Sequence, residues 1–90
     1  MEFEYTIHAE WKLKLSEVRK LKINKQKIQK IVKTAETIDK SEEPVLIAIG
    51  GFSKELSLCI VYRRIEGRIR IITFYPAEKG RYERKILSRR

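Results

Sequence analysis

One cysteine, one histidine, one tryptophan and two prolines are all that this 90-residue chain holds of those types. Each scarcity removes a class of explanation. Cys59 alone can form neither an internal disulfide nor a cysteine-based zinc site, which fits a reducing, cytoplasmic setting. No apolar run approaches the roughly 20 residues of a membrane span; "VLIAI" at 45–49 is typical of the longest. The opening "MEFEYTIHAEWK" is acidic and lacks the basic and apolar regions of a secretory signal. The four glycines form no phosphate loop of P-loop type. No Ser-His-Asp grouping is suggested by spacing, and Cys59 has no activating neighbours in sequence. Glu42 and Glu43 fall in a predicted loop with nothing to tie them into a metal site. Neither a metal nor a cofactor is expected.

What is present is charge and a moderate apolar content. Charged residues make up 37% and hydrophobic ones 42%, the balance of a globular chain, here one domain over residues 1–90. The net charge is +9 and lies mainly in the last third. Residues 61–90 hold ten Lys or Arg against three Glu, while residues 1–60 hold eleven against nine acidic residues. Such a basic half suggests a polyanionic partner: nucleic acid, an anionic membrane or an acidic protein. Heat adaptation explains abundant charge but not an imbalance of sign.

The patterning divides the chain. "EFEYTIH", residues 2–8, alternates Phe3, Tyr5 and Ile7 with polar residues and predicts a short strand. In "AEWKLKLSEVRKLKI" Trp11, Leu15 and Val18 recur at helical spacing, widened by Leu13 and Leu21, although 11, 13 and 15 also alternate. Asn24 is a natural N-cap for a second helix, "KQKIQKIVKTAETI", with an apolar stripe of Ile28, Ile31, Val32, Ala35 and Ile38. Its other face carries Lys25, Lys27, Lys30 and Lys33, a pattern more often solvated than functional. After "DKSEEP" the period becomes two. "VLIAIGG" predicts a buried strand ending in a Gly50–Gly51 turn. "ELSLCIVYRR" places Leu56, Leu58, Ile60 and Tyr62 on one side. "RIRIITFY" places Ile69, Ile71, Thr73 and Tyr75 on one side, Glu66–Gly67 is a hairpin turn, and Pro76 ends the strand. "KGRYERKILSRR" is compatible with a further strand or a helix. The predicted class is α+β: an N-terminal strand and two helices packed on an antiparallel meander.

Pairing around Glu66–Gly67 sets Arg63 opposite Arg70, Tyr62 opposite Ile71 and Val61 opposite Ile72. Like charges facing across a ladder repel. A phosphate between the two guanidiniums would convert that repulsion into charge-assisted bonds, whereas splaying into solvent or pairing with Glu66 or Glu55 would also relieve it. His8, at the strand-to-helix junction, suits proton transfer near neutral pH, or is simply a cap or surface residue. Tyr75 and Tyr82 flank Pro76 and the basic end of the chain; their rings can stack on bases and a phenol can assist proton transfer, or they anchor strand and tail. Thr73 offers a hydroxyl to a phosphate, or is an ordinary strand residue.

With "IHAEWK", "KINKQKIQKIV", "LCIVYRRIEGRIRIITFYP" and "KGRYERKIL" laid out, nearly the whole chain resembles the RelE superfamily of small toxins. It is closer to BrnT-like and other short members than to RelE itself. The resemblance implies a toxin of a toxin-antitoxin system that cleaves RNA, free or ribosome-bound, without a metal by 2′-OH attack, and an antitoxin that covers the RNA surface. It matches His8 to a histidine at the start of the first helix, and Arg63 or Arg64, Thr73, Tyr75 and Arg81 to basic and hydroxyl positions on the meander and tail. Where short relatives often have arginines and a glycine after that histidine, this chain reads "KLKLSEVRKLKI". The expected catalytic residues are His8, Tyr75 and Arg81; the expected nucleic-acid contacts are Arg63, Arg64, Arg70, Thr73, Lys79, Tyr82 and Arg84. A DNA- or RNA-binding module without catalysis uses the same arginines and aromatics, and an inactivated relative would keep the core and bind a protein.

Overall fold

A computed structural model describes residues 2–78 as an α+β fold. The elements are β1 (Glu2–Tyr5), α1 (Ile7–Leu13), α2 (Ser16–Lys20), α3 (Lys25–Thr34), β2 (Thr37–Glu42), β3 (Val45–Gly51), β4 (Leu56–Ile65) and β5 (Arg68–Glu78). The five strands form one mixed sheet in the order β1-β5-β4-β3-β2. β2 to β5 are an antiparallel meander, and β1 adds to β5 in parallel. No helix among the described residues is long and apolar enough to cross a membrane.

The first strand is shorter than its alternation predicts. It stops at Tyr5 because Thr6 becomes the N-cap of α1, its hydroxyl accepting from the Ala9 N–H at 3.1 Å. The same hydroxyl donates to the Ile72 carbonyl at 2.8 Å, and the Thr6 N–H donates to the Ile71 carbonyl at 3.0 Å. One residue therefore caps a helix and fastens it to β5.

The expected first helix is broken in two at Leu15, whose backbone is extended. Leu13 and Leu15 both pack against the core. Residues two apart point to nearly opposite sides of a helix, so both can turn inward only if the chain leaves the helix between them. Val18 on α2 is buried, whereas Trp11 and Leu21 are exposed, contrary to a continuous apolar stripe.

α3 starts where its cap predicts: the Asn24 side chain accepts from the Lys27 N–H at 2.8 Å. Ile28, Ile31 and Val32 are buried. The helix ends at Thr34, four residues before its apolar spacing runs out, because Thr37–Glu42 pairs with β3 as an edge strand. Ile38 thus sits opposite Ala48 in the sheet instead of extending the helical face. Gly50 and Gly51 are not a turn; they lie in β3, opposite Leu58 and Ser57. A Cβ on Gly50 would stand 2.9 Å from two Ile31 side-chain carbons, so glycine is what lets α3 approach this strand.

The β4–β5 hairpin turns through Glu66 (φ 47°) and Gly67 (φ 79°), the double positive-φ pair whose twist suits a two-residue hairpin. Arg63 faces Arg70 and Tyr62 faces Ile71, as read from the sequence, but Val61 faces Thr73. Ile72 is the extra residue of a bulge. The bulge reverses the side-chain phase, so Ile69 and Ile71 share the helix side with Phe74, while Thr73 and Tyr75 go to the opposite side. β5 also continues past Pro76 to Glu78. The Phe74 carbonyl receives the Lys12 ammonium and so points away from β4. Groups two residues on point the same way, which aims the donor-less Pro76 nitrogen at the unpaired edge.

The three helices cover one sheet face. Ile28, Ile31 and Val32 of α3 and Ala9 of α1 pack there with Ala48, Leu58, Ile60, Tyr62, Ile69, Ile71 and Phe74. Fully burying an Ile, Leu or Phe side chain stabilises by about 1.5–3 kcal/mol, so this side supplies most of the driving force for folding.

Candidate nucleic-acid interface

No helix among the described residues covers the other face of the sheet; this helix-free face has a buried centre and an accessible end. Ile49, Cys59 and Ser57 at the centre are buried, as is Asp39 on β2. Toward the β4–β5 turn the same face carries Arg63 on β4 and Arg68 and Arg70 on β5, with Glu2 and Glu4 beside them on β1. Thr73 and Tyr75, half-buried, follow Arg70 along β5 on this face, opposite Val61 and Cys59.

The repulsion between Arg63 and Arg70 is met by a residue that cross-strand pairing of the hairpin could not reveal. A Glu4 carboxylate oxygen lies 3.7 Å from Arg70 Nε and 3.8 Å from Arg68 Nε. These separations are too long for hydrogen bonds, and that oxygen, although buried as an atom, accepts none. The attraction is charge across space between partly exposed groups. Arg63 has no ion pair with any described residue. Arg68 and Arg70 thus share the Glu4 carboxylate while Arg63 pairs with no described residue, an arrangement that suits an external anion.

At the β5 edge the Lys12 ammonium donates to the Phe74 carbonyl and to Thr73 Oγ1 (3.4 Å), and lies 5.3 Å from the centre of the Phe74 ring. Burial lowers the Lys12 pKa from its ordinary value. Thr73 Oγ1 is thus already engaged by a cation from α1.

Among the other expected site residues, Arg64 falls on the helix-side phase of β4, opposite Ile69 and away from Arg63. His8 is exposed on α1 with its ring against Trp11, centroids 5.8 Å apart and planes tilted by 36°. The face brings Arg63, Arg70, Thr73 and Tyr75 together; His8 belongs to a neighbouring element. Lys79, Arg81, Tyr82 and Arg84 lie outside the described residues. Sequence reasoning missed Glu4, Arg68 and Lys12; the only signal was that Glu4 and Lys12 each stand apart from the hairpin they meet.

Charge is distributed differently from its linear appearance. Residues 61–78 carry four arginines and two glutamates, and residues 37–78 as a whole balance six cations with six anions. The helical segment 7–34 holds nine Lys or Arg against Glu10 and Glu17, or +7. Several of these lysines hold their ammonium groups over rings: Lys25 over Tyr5 at 4.7 Å, Lys27 over Phe52 at 5.5 Å and Lys33 over Phe3 at 5.6 Å from the ring centres. Lys25 also pairs with Glu10 at 2.7 Å. A cleft of about 350 Å³ between α3 and β3, lined by Lys27, Lys30, Thr34, Glu36, Thr37 and Gly51 among others, contains none of the expected site residues. No group of three or more His, Cys, Asp or Glu among the described residues is placed to hold a metal ion.

Comparisons with protein families, with curated proteins and with solved structures found no match to this chain.

Proposed function

We propose that this chain is an RNA-handling protein of the RelE-like toxin kind, a metal-independent endoribonuclease whose substrate phosphate sits at the arginine end of the helix-free face. The observation that carries this reading is Arg63 directly across from Arg70 on that face, with Thr73 and Tyr75 next along β5. A phosphodiester between the two guanidiniums would receive bonds from both, and these would strengthen as negative charge builds on the phosphorus oxygens. Cleavage requires a base to remove the 2′-OH proton as that oxygen attacks the adjacent phosphorus, and an acid to protonate the departing 5′ oxygen. The products are a 2′,3′-cyclic phosphate and a 5′-hydroxyl end. Tyr75, on the same face as the arginines, and His8, at the head of α1, are the proton-transfer candidates. A cognate antitoxin would act by covering this end of the sheet.

A non-catalytic RNA- or DNA-binding module is the second reading. The position of His8 favours it: the ring packs on Trp11 of α1, on a different element from Tyr75. Incubating the protein with labelled RNA in excess EDTA separates the two. Cyclic phosphate ends from the parent, lost in folded Arg63→Ala/Arg70→Ala and reduced in Tyr75→Phe or His8→Ala, support cleavage. Retention of intact RNA, free and on ribosomes, refutes it and leaves the binding module.

A further inference from the structure

The most exposed apolar side chains of the described structure cluster on α1, not on the sheet. Ile7 is 89% exposed and Trp11, one turn further along the same helix face, is 55% exposed. The imidazole of His8 packs against the indole. Lys14 follows Trp11 at i+3 on the same side, and Arg19, Lys20 and Lys22 come next in the chain, all exposed. Residues 7–22 hold five Lys or Arg against Glu10 and Glu17, or +3.

An exposed indole offers a free ring face, and the charge around it is positive on balance despite Glu10 and Glu17. We infer that the outer face of α1, with Trp11 as its stacking surface, together with Lys14 at its end and Lys20 and Lys22 at the end of α2 as phosphate contacts, is a second binding site, for single-stranded RNA. The aromatic offers a π-face to a base, and the flexible ammonium groups follow the backbone. A protein partner fits less well, because two neighbouring apolar side chains are far short of the roughly 800 Å² per side that a stable interface buries. The site is distinct from the arginine end but continuous with the same strand. Lys12, adjacent to Trp11 in sequence, reaches Thr73, so α1 lies alongside β5 where the helix-free face begins. An RNA strand stacked on Trp11 can therefore run past Lys12 toward Thr73 and Tyr75. The inference rests on the RNA reading above for its class of ligand, and on nothing else in it.

Trp11 is the only tryptophan of the chain, so its fluorescence reports this site alone. An oligouridylate of about twelve nucleotides, within the span such surfaces accommodate, is titrated against the full chain, with emission and anisotropy recorded together. Saturable quenching is expected. Trp11→Ala should weaken binding about five- to tenfold, the lower range for base–aromatic stacking, and Trp11→Phe should retain most of the affinity. Lys14→Gln/Lys20→Gln/Lys22→Gln should reduce the slope of log affinity against log salt by about 2, since each single-strand phosphate contact contributes about 0.7. Binding that leaves Trp11 emission unchanged and survives Trp11→Ala overturns the inference, and if that binding is lost in Arg63→Ala/Arg70→Ala the sheet reading stands without it. Quenching that persists in Arg63→Ala/Arg70→Ala supports the α1 site at the expense of the sheet. Equal binding of an oligoglutamate without quenching would leave a bare charge surface and overturn the stacking assignment, and absence of RNA binding overturns both proposals.

Discussion

Replacing Glu4 with Gln is the sharpest probe of the arginine end, because stability and binding should move in opposite directions. Glu4 stands 3.8 Å from Arg68 Nε and 3.7 Å from Arg70 Nε, and all three side chains are a third or more exposed. Water screens such pairs, and each is worth about 0.2–1 kcal/mol, the lower end applying where no hydrogen bond forms. The variant should therefore lose no more than about 1 kcal/mol in a denaturant titration. Binding responds to a different term. A phosphate seated on Arg70 would lie about 6–7 Å from the Glu4 carboxylate, and two negative charges at that distance repel by about 0.6 kcal/mol in bulk water and about twice that at half its dielectric constant. Removing the carboxylate also frees Arg68 and Arg70 for the ligand. Affinity for a short RNA should rise about three- to tenfold at low salt, and the gain should shrink as added salt screens it. Fluorescence anisotropy at several salt concentrations, beside chemical denaturation of the same samples, measures both effects. A folded Glu4→Gln protein that binds RNA no better than the parent, or worse, would show that the anion does not sit on these arginines.

Other expectations follow from the packing and titration of individual groups. Gly50→Ala should destabilise by about 1–3 kcal/mol through its 2.9 Å approach to Ile31, outweighing the smaller gain from a stiffer unfolded chain, and Ile31→Val in the same protein should recover part of the loss; a stabilised Gly50→Ala would refute the close fit. Tyr62 is fully buried and its hydroxyl has no hydrogen-bond partner among the described residues, so Tyr62→Phe should be neutral or raise stability by about 1 kcal/mol in thermal unfolding. Burial raises the Tyr5 phenol above 10.0, against the opposing effects of the Gln29 hydrogen bond and the Lys25 charge; the folded state holds that proton more tightly, so stability falls as pH climbs from about 10 through the raised value, and Tyr5→Phe should abolish the fall. Burial lowers Lys12 from 10.5, so the folded state releases that proton first and stability rises between the lowered value and 10.5; Lys12→Met should remove this rise, which denaturant midpoints across the alkaline range would detect.

The parts of the fold legible in the sequence are those fixed by local chemistry. Asn24 announces α3 because its side chain satisfies a backbone donor three residues away. Glu66–Gly67 announces the hairpin because a positive φ favours glycine, and the two-residue turn then sets Arg63 opposite Arg70. Burial of Leu58, Ile60 and Tyr62 on one side of β4 follows from strict alternation. The illegible parts depend on partners remote in sequence. Ile38 fits a helix stripe and a strand equally well, and only pairing with Ala48 decides between them. The Ile72 bulge, with its carbonyl held by the Thr6 hydroxyl, reverses the phase of β5 and moves Thr73 and Tyr75 across the sheet. Glu4 reaches Arg70 because β1 pairs with β5 in parallel, which no hairpin rule supplies.

The bulge also gives the candidate site its composition. With uninterrupted alternation, Thr73 and Tyr75 would share a side with Ile69 and Ile71 and lie under the helices, while Phe74 would face away. The extra residue at Ile72 exchanges them, so the core gains an aromatic ring and the arginine-bearing face gains two hydroxyls. The same position is where Thr6 joins β5 to the head of α1, and nearly two turns later Lys12 binds the strand again at Thr73 and Phe74. A single backbone irregularity thus aligns α1, with its exposed Trp11 and surrounding cations, against the strand that carries Arg70, Thr73 and Tyr75. Deleting Ile72 should leave Val61 paired with Thr73 and Ile60 with Phe74 in regular alternation, keeping Thr73 and Tyr75 on the arginine-bearing face, while removing the carbonyl that holds Thr6 and loosening α1 from the edge. If the two proposed RNA contacts act on one strand, that deletion should lower affinity in protein that remains folded, although both surfaces keep their residues. A folded deletion variant with undiminished affinity would separate the two surfaces and show that the alignment serves the core alone.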